Sequence, residues 1–182
     1  MAPHQIRQYG DPVLKQPSAE VTDIDGALAK LADDMLLTMY DAPGLGLAAC
    51  QVGVQKRMFV YDLGLGEGPR TIVNPKIVET DGEFPYEEGC LSIPGLQFEL
   101  IRPNNVHLVG YDLDGNEVSI EASEVEGRCF QHELDHLNGV LFVERLDGDQ
   151  RKQARRALRE LMLGSDSASA RPAAAATGLS LS

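Results

Sequence analysis

The sequence predicts an α+β fold in which largely antiparallel sheets pack around a central helix, with another helix towards each end of the chain. Three observations support this prediction. The order of elements is one amphipathic helix, several short strands and then helices again. Asp114-Gly115 between two apolar segments is a strong hairpin signal. Residues 124–138 carry apolar side chains on two sides, as expected of a helix buried on two faces.

The first helix is predicted over residues 24–40, where apolar residues recur at helical spacing, with Asp23 or Thr22 as its N-cap. Residues 44–53 then alternate small residues with leucines. This pattern predicts either a tightly packed strand and turn or an edge that binds a peptide, because glycines let another backbone approach closely. Gln51 is the polar group in this stretch, and its amide could donate to a ligand oxygen.

The middle of the chain predicts short strands, because β-branched and aromatic residues cluster there between turn-forming residues. The predicted strands are residues 57–61, 71–73, 76–80, 105–111 and 117–120. Cys90 precedes Pro94-Gly95, a pair that predicts a turn. A solitary cysteine in this context is by default a packed thiol, with metal ligation as the alternative.

The central helix is predicted over residues 124–138. Ser123 and Glu126 have the spacing of a capping box, and Gly139 occupies the position of a C′ glycine. Gly127 inside the helix predicts close backbone packing. The helix contains H-E-x-x-H at residues 132–136, in which two histidines one turn apart can bind one metal ion while the glutamate stands beside it. This is the pattern of a metal hydrolase.

The third ligand is open at this point, with Cys90 and Glu144 as candidates. A downstream ligand such as Glu144 would favour a zincin-like endopeptidase. A non-catalytic module that binds a metal or a peptide is the remaining alternative. Glu133 disfavours that module, because a structural site has no use for a carboxylate there.

Composition and charge argue against several classes of protein. The 182 residues suit one domain, and no apolar run approaches a membrane span. With 16 Lys and Arg against 28 Asp and Glu, the net charge of −12 disfavours broad nucleic-acid binding. The first residues lack an apolar signal-peptide core, and three cysteines in different contexts fit a reducing compartment. We therefore expect a cytoplasmic protein.

A last helix is predicted over residues 149–163, and its charge differs from that of the rest of the chain. Residues 151–163 contain five basic residues and one acidic residue, a local charge of +4. The basic face of this helix is either simply solvated or able to contact RNA phosphates. We expect a single domain over residues 1–163 and a disordered Ala/Ser-rich tail over residues 164–182.

Three stretches together resemble the peptide deformylase family. They are GLGLAACQ at 44–51, EGCLS at 88–92 and QHELDHL at 131–137, in the family's order and spacing. YGDPVL at 9–14 also resembles the family's N-terminal segment. The resemblance covers residues 5–163, and three motifs in order are far more specific than H-E-x-x-H alone.

The resemblance implies an enzyme that removes the formyl group from the N-formylmethionine of new polypeptides and releases formate. It implies Cys90, His132 and His136 as metal ligands and Glu133 as the group that takes and returns a proton. The Leu91 backbone N–H and the Gln51 side-chain amide would stabilise the oxyanion. The metal would be Fe²⁺ in the cell, with Zn²⁺, Ni²⁺ or Co²⁺ able to substitute.

Substrate binding follows from the same resemblance. The backbone of Gly44, Leu45 and Gly46 would pair with the peptide, and the methionine side chain would enter an apolar pocket. Further candidates for substrate contact are Gly89, Tyr86, Val125 and Cys129, with plain core packing as the alternative for Cys129. Arg128 stands one residue before Cys129, where an apolar residue would suit a pocket better, so the rim of the pocket would differ there.

Two further expectations concern charged groups. Glu88, Arg102 and Asp135 would either orient the ligands or be solvated surface charges. The resemblance also implies that the basic helix over residues 150–163 docks on the ribosome.

Overall fold

The computed structural model describes residues 3–165. Its order of elements confirms an α+β fold with antiparallel sheets around a central helix. No helix in these residues is long and apolar enough to span a membrane. The helices and strands are, in order, α1 Gly26–Asp41, β1 Gly46–Ala48, β2 Met58–Tyr61, β3 Arg70–Asp81, β4 Phe84–Cys90, β5 Ile93–Arg102, β6 Asn105–Tyr111, β7 Glu117–Ala122, α2 Glu124–Leu137 and α3 Gly148–Ser165.

The strands form two separate sheets. Five strands pair in the order β1-β2-β3-β6-β7, which leaves β1 at one edge, whereas β4 and β5, among the described strands, pair only with each other. The predicted strands over 71–73 and 76–80 are parts of the single strand β3, whose pairing with β6 shifts register near Pro75. The Asp114-Gly115 turn joins β6 to β7 as predicted, and Gly115 has a φ of +80°.

The β4–β5 hairpin was not predicted from the sequence. Its strands contain prolines, glycines and charged residues, which disfavour a strand assignment. The predicted turn at Pro94-Gly95 is wrong, because Leu91 and Ser92 form the turn and Pro94 and Gly95 lie within β5. Gly95 has a φ of +79°. It lies where the hairpin register shifts, because Gly89 pairs with Gln97 and the next residue, Cys90, pairs with Ile93.

Helix α1 begins later than predicted. Its N-cap is Asp25, whose Oδ1 accepts a hydrogen bond from the Leu28 N–H at 2.9 Å, so neither Asp23 nor Thr22 caps it. Leu28, Met35 and Met39 are buried. They pack α1 onto β1 and β2, on one side of the five-stranded sheet.

Helix α2 is buried along most of its length. Cys129, Phe130 and Leu137 are inaccessible to solvent and pack against the other face of the sheet. Gly127 has the close packing that was predicted, because a Cβ at that position would lie 3.0 Å from the Asn104 carbonyl oxygen. The helix is therefore a central element.

The two ends of α2 differ in how well they were predicted. The prediction of a capping box is wrong. Ser123 makes no side-chain capping bond, and Asn104 Oδ1 accepts from the Glu124 N–H instead. At the other end, Gly139 has a φ of +73°, its N–H donates to the His136 carbonyl, and the Val140 N–H donates to the Asp135 carbonyl. This pair of bonds is a Schellman motif, which confirms Gly139 as the C′ residue.

Helix α3 packs on the rest of the chain through Ala154 and Leu158, which join a cluster with Leu14 and Phe142. Its basic residues are exposed. The predicted tail over residues 164–182 falls outside the described residues, except that α3 continues to Ser165.

Candidate metal centre

Two elements bring three potential metal ligands together. His132 and His136 lie one turn apart on α2, so both imidazoles point to the same side of the helix. Cys90 is the last residue of β4, directly before the hairpin turn. One ligand atom from each residue lies within 4.8 Å of the others, and all three residues are buried. We refer to Cys90, His132 and His136 as the cluster. The fold thus closes the long separation in sequence between the cysteine and the histidines.

The donor set suits a divalent metal ion. Cys90 Sγ lies 3.2 Å from His136 Nε2. A tetrahedron with a Zn–S bond of about 2.3 Å and a Zn–N bond of about 2.0 Å has an edge of roughly 3.5 Å. Burial lowers the pKa of His136, the direction that favours a neutral ligand, whereas for His132 burial is outweighed by hydrogen bonds to Cys90 and Glu88, which raise the pKa. Three protein ligands are the number found in catalytic zinc sites, whereas structural sites use four.

Glu88 orients one of the histidines. Its Oε1 lies 2.7 Å from His132 Nδ1, so Nε2 is the ring nitrogen left for a metal. Burial raises the pKa of Glu88, but hydrogen bonds from His132 and Arg102 outweigh burial and hold the pKa below its ordinary value. Glu88 is therefore a buried carboxylate and not a solvated surface charge.

Arg102 joins Glu88 to a second buried carboxylate. Its guanidinium donates to Glu88 through Nε at 2.8 Å and Nη2 at 2.6 Å, and to Asp135 Oδ2 through Nη1 at 2.9 Å. Asp135 also accepts two bonds from Arg145. Because Glu88 lies on β4, Arg102 on β5 and Asp135 on α2, the ion pairs connect the hairpin to the helix.

Arg128 does not lie at a pocket rim, contrary to the expectation from the sequence. Its side chain is inaccessible to solvent, and its Nη1 donates to Glu88 Oε2 at 2.5 Å. The guanidinium lies under the rings of Phe84 and Tyr86, 5.6 and 5.5 Å from their centroids. A polar stripe on a helix usually indicates a solvated face, and here Arg128 and Asp135 are buried because each meets opposite charges.

Glu133 lies beside the cluster with an unusual environment. It is 1% exposed, and its Oε2 accepts no hydrogen bond within residues 3–165. Burial raises the pKa of Glu133 to about 7, which suits a group that takes up and returns a proton near neutral pH. Gly46 makes room for it, because a Cβ at Gly46 would lie 2.6 Å from Glu133 Oε1 and 2.8 Å from Cys129 Sγ.

Gln51 is held with its amide nitrogen towards the cluster. Its Oε1 accepts from the Ala48 N–H at 2.8 Å, and its Nε2 lies 3.2 Å from Ser92 Oγ and 3.9 Å from Cys90 Sγ. Ser92 is fully buried, and its backbone N–H donates to Cys90 Sγ at 3.4 Å. Ser92 was not among the predicted site residues, although its position two residues after Cys90 pointed to a contact with that thiol. Leu91, the other predicted oxyanion donor, is the first residue of that turn.

The predicted peptide-binding segment, Gly44 to Gly46, lies against two elements that carry the potential ligands. Gly46 begins the edge strand β1, and a Cβ at Gly44 would meet Leu91 Cδ1 at 2.7 Å. Leu45 is partly buried, and its carbonyl oxygen lies 4.0 Å from Cys129 Sγ. These contacts place the glycine-rich segment between the hairpin turn and α2.

The four remaining pocket candidates are distributed as follows. Val125 is half-buried, one turn before Cys129, which belongs to the core. Tyr86 is half-buried on β4. A Cβ at Gly89 would meet Gln97 Cγ at 3.2 Å, so this glycine allows close packing onto β5.

Glu144, the alternative third ligand, lies elsewhere. It is exposed, pairs with Lys15 at 2.5 Å and accepts from the Leu141 N–H. These contacts leave Cys90 as the donor that joins the two histidines.

Comparisons with known proteins point to one family. A family model described as "Polypeptide deformylase" matches residues 3–152. A peptide deformylase of Acidothermus cellulolyticus is 48% identical over 160 residues, which cover 88% of each chain. One of Clostridium botulinum is 50% identical over 145 residues, covering 80% of this chain and 97% of its own.

Solved structures give the same result. The crystal structure of a peptide deformylase from Legionella pneumophila aligns with a TM-score of 0.84 at 38% identity, covering 93% of this chain and 99% of that one. The peptide deformylase from Thermotoga maritima aligns with a TM-score of 0.77 at 41% identity, covering 80% and 99%. The similarity therefore extends over most of the length of each protein.

Proposed function

Because the chain belongs to the polypeptide deformylase family, we propose that Cys90, His132 and His136 hold one divalent metal ion and that Glu133 is the base beside it. The enzyme removes the formyl group from the N-terminal N-formylmethionine of newly synthesised polypeptides and releases formate. The observation that carries the residue assignment is the convergence of one thiol and two imidazoles next to a buried carboxylate.

The reaction is hydrolysis of a formyl amide. Water adds to the formyl carbon, the carbon–nitrogen bond breaks, and the products are formate and the free amino group of methionine. A bound divalent ion supplies Lewis-acid chemistry, lowering the pKa of water and polarising the formyl oxygen. Glu133 takes the proton that water loses and delivers one to the departing nitrogen. Its buried Oε2, without a donor in residues 3–165, supports this role.

The negative charge that develops on the formyl oxygen needs hydrogen-bond donors to stabilise it. We assign them to the Leu91 backbone N–H and the Gln51 Nε2–H. The Ala48 N–H donates to the side-chain oxygen of Gln51, Oε1, so the side-chain nitrogen Nε2 faces Cys90. The amide group cannot flip without losing the bond to Ala48. Removing one such donor typically costs about 10²- to 10³-fold in rate.

The peptide is proposed to add as a strand beside Gly44, Leu45 and Gly46. An edge strand has backbone groups available for pairing, and β1 is such an edge. The methionine side chain would then enter a pocket near Val125, Cys129 and Tyr86, with Gly89 in the adjoining strand. The partly buried state of Val125 and Tyr86 supports this assignment.

We propose Fe²⁺ as the ion in the cell, with Zn²⁺, Ni²⁺ or Co²⁺ able to substitute. Imidazole and thiolate ligands accept all four ions. Purification under anaerobic conditions followed by metal analysis tests this assignment, and a protein isolated with stoichiometric zinc and no iron would contradict it. We also propose a cytoplasmic location, because Cys50, Cys90 and Cys129 are free thiols.

A contact with the ribosome is proposed for α3. Arg155 and Arg159 lie one turn apart and are exposed, whereas Ala154 and Leu158 are buried and hold the helix in place. Charge reversal of both arginines should abolish co-sedimentation with ribosomes at low salt. Reversal of Lys56 and Lys76, which are exposed elsewhere, is the matched control for net charge. Unchanged co-sedimentation of the α3 variant would refute docking.

The decisive experiment on Glu133 measures formate released from formyl-Met-Ala-Ser together with metal content. Glu133→Ala should retain the metal and lose about 10²- to 10⁴-fold in kcat. Glu126→Ala is the control, because Glu126 lies on the same helix and bonds Tyr61. Full activity of Glu133→Ala would refute the mechanism, and loss of its metal would refute the assignment of Glu133 as a base that does not ligate.

A further inference from the structure

Arg128 is a buried charge to which the mechanism assigns no task. It is on α2, and it makes three polar contacts with the β4–β5 hairpin. Besides Glu88, its Nη2 donates to the Phe84 carbonyl of β4 at 2.5 Å and to the Leu100 carbonyl of β5 at 2.8 Å. One side chain of the helix therefore contacts both strands of the hairpin.

The position of this contact relates it to the metal centre. Arg128 lies one turn before His132 on α2, and Glu88 lies two residues before Cys90 on β4. Side chains two apart on a strand share a face, and residues four apart on a helix are neighbours. The Arg128–Glu88 bond thus runs beside the cluster and connects the same two elements that supply the ligands.

The carboxylate of Glu88 is fully engaged only when Arg128 is present. Oε1 accepts from His132 Nδ1 and Arg102 Nη2, and Oε2 accepts from Arg102 Nε and Arg128 Nη1. The remaining contacts of Arg128 are with the rings of Phe84 and Tyr86, which stack at 5.7 Å. These rings close over the guanidinium, so its charge acts on Glu88 with little screening by water.

We infer that Arg128 is a positioning residue of the metal centre, which acts through Glu88 to hold the His132 imidazole and the hairpin carrying Cys90 in register. This inference rests on the proposed metal site. Partners that orient ligands typically contribute 10- to 100-fold to metal affinity. Loss of Arg128 should therefore increase the rate of metal release.

The test measures metal release directly. The protein is loaded with Co²⁺, whose thiolate absorption band reports the Cys90 ligand, and the decay of the band is followed after adding a chelator. Arg128→Met should release Co²⁺ about 10- to 100-fold faster than the parent. Arg128→Lys should be intermediate, because one ammonium cannot replace a planar fork that contacts three acceptors. Arg145→Met is the control. It removes another arginine of the same network, but one that pairs with Asp135, so Co²⁺ should be released at about the parental rate.

A double-mutant cycle separates positioning from general stability. If Arg128 acts through Glu88, then Arg128→Met should change the release rate little in a Glu88→Gln background. An undiminished effect in that background, or release at the parental rate from Arg128→Met alone, overturns the inference. If Arg128→Met does not fold, the same two comparisons with Arg128→Lys decide.

Failure of the underlying proposal gives a different result. If the parent protein shows no thiolate band with Co²⁺, or if His132→Ala keeps the band and its release rate, the metal site itself is wrong. A normal band in the parent, lost in His132→Ala but unaffected by changes at Arg128, refutes the role of Arg128 alone.

Discussion

Helix α2 and the β4–β5 hairpin both supply donors to the proposed metal centre, but they are stabilised in different ways. The helix satisfies its own backbone, ends in a Schellman motif and packs into the core. Within residues 3–165 the hairpin pairs with no other strand, and isolated two-stranded sheets are marginally stable in water. It depends on an apolar cluster and on ion pairs with α2.

This difference shows where the geometry of the site is vulnerable. The two histidines keep their spacing as long as α2 is helical, because helix geometry sets it. The position of Cys90 relative to them depends on contacts between elements, chiefly those of Glu88 and Arg102. We therefore expect perturbations of the hairpin to change the site without unfolding the helix.

The largest effect should follow removal of a ligand. Cys90→Ala and His132→Ala should each lose the metal, with activity falling by more than the roughly 10- to 100-fold typical of outer partners. Metal analysis and formate release measure both losses. Hydrogen exchange then compares the two elements: removing the metal from the parent should raise exchange in residues 84–102 more than in residues 124–137. An equal rise in both segments would contradict the difference between them.

A smaller effect is expected from breaking the ion pairs that hold the hairpin. Arg102→Met removes a partner from two buried carboxylates, which should lower the free energy of unfolding by about 3–5 kcal/mol. Arg145→Met is the matched variant: its side chain is 48% exposed, so its loss should cost only about 0–1 kcal/mol. Urea unfolding of the metal-loaded proteins measures both values. Similar values for the two variants would show that burial does not govern the contribution of this network.

The smallest effects should come from adding a single methyl group between the two elements. Gly46 faces α2 and Gly44 faces the hairpin turn. Gly46→Ala would displace the Glu133 carboxylate, and a misplacement of about 1 Å can cost about 10²-fold in rate. The closest contact of Gly44→Ala is with the end of the flexible Leu91 side chain, which can move aside, so we expect a smaller loss. Separate kcat and KM values for both variants decide, and a larger fall in kcat for Gly44→Ala would contradict this order.

Local patterns in the sequence were sufficient for much of the helix. Gly139 at its C′ position, the close packing at Gly127 and the shared face of His132 and His136 follow from helix geometry and are present. The N-terminal caps were less predictable. Several residues near the start of α1 can cap it, and Asp25 does so through a local bond, whereas the acceptor at the start of α2 is Asn104, which lies outside the helix.

The hairpin illustrates the opposite case. Its strands were not predicted, because Pro85, Gly89 and Pro94 are poor strand residues and its stability comes from partners distant in the chain. For the same reason the sequence did not predict that Arg128 is buried or that Ser92 contacts both Gln51 and Cys90. A charged side chain becomes a buried one only when the fold supplies its counter-charge.

The sequence by itself determined the α+β class, the helical spacing of His132 and His136 and the three motifs that identify the family. These features depend on residues near one another in the chain or on short patterns with a fixed spacing. The tertiary structure decided that Cys90 meets the histidines, that Glu88 orients His132 and that Arg128 bridges helix and hairpin. Each of these contacts joins residues about 40 positions apart, and only packing brings such residues together.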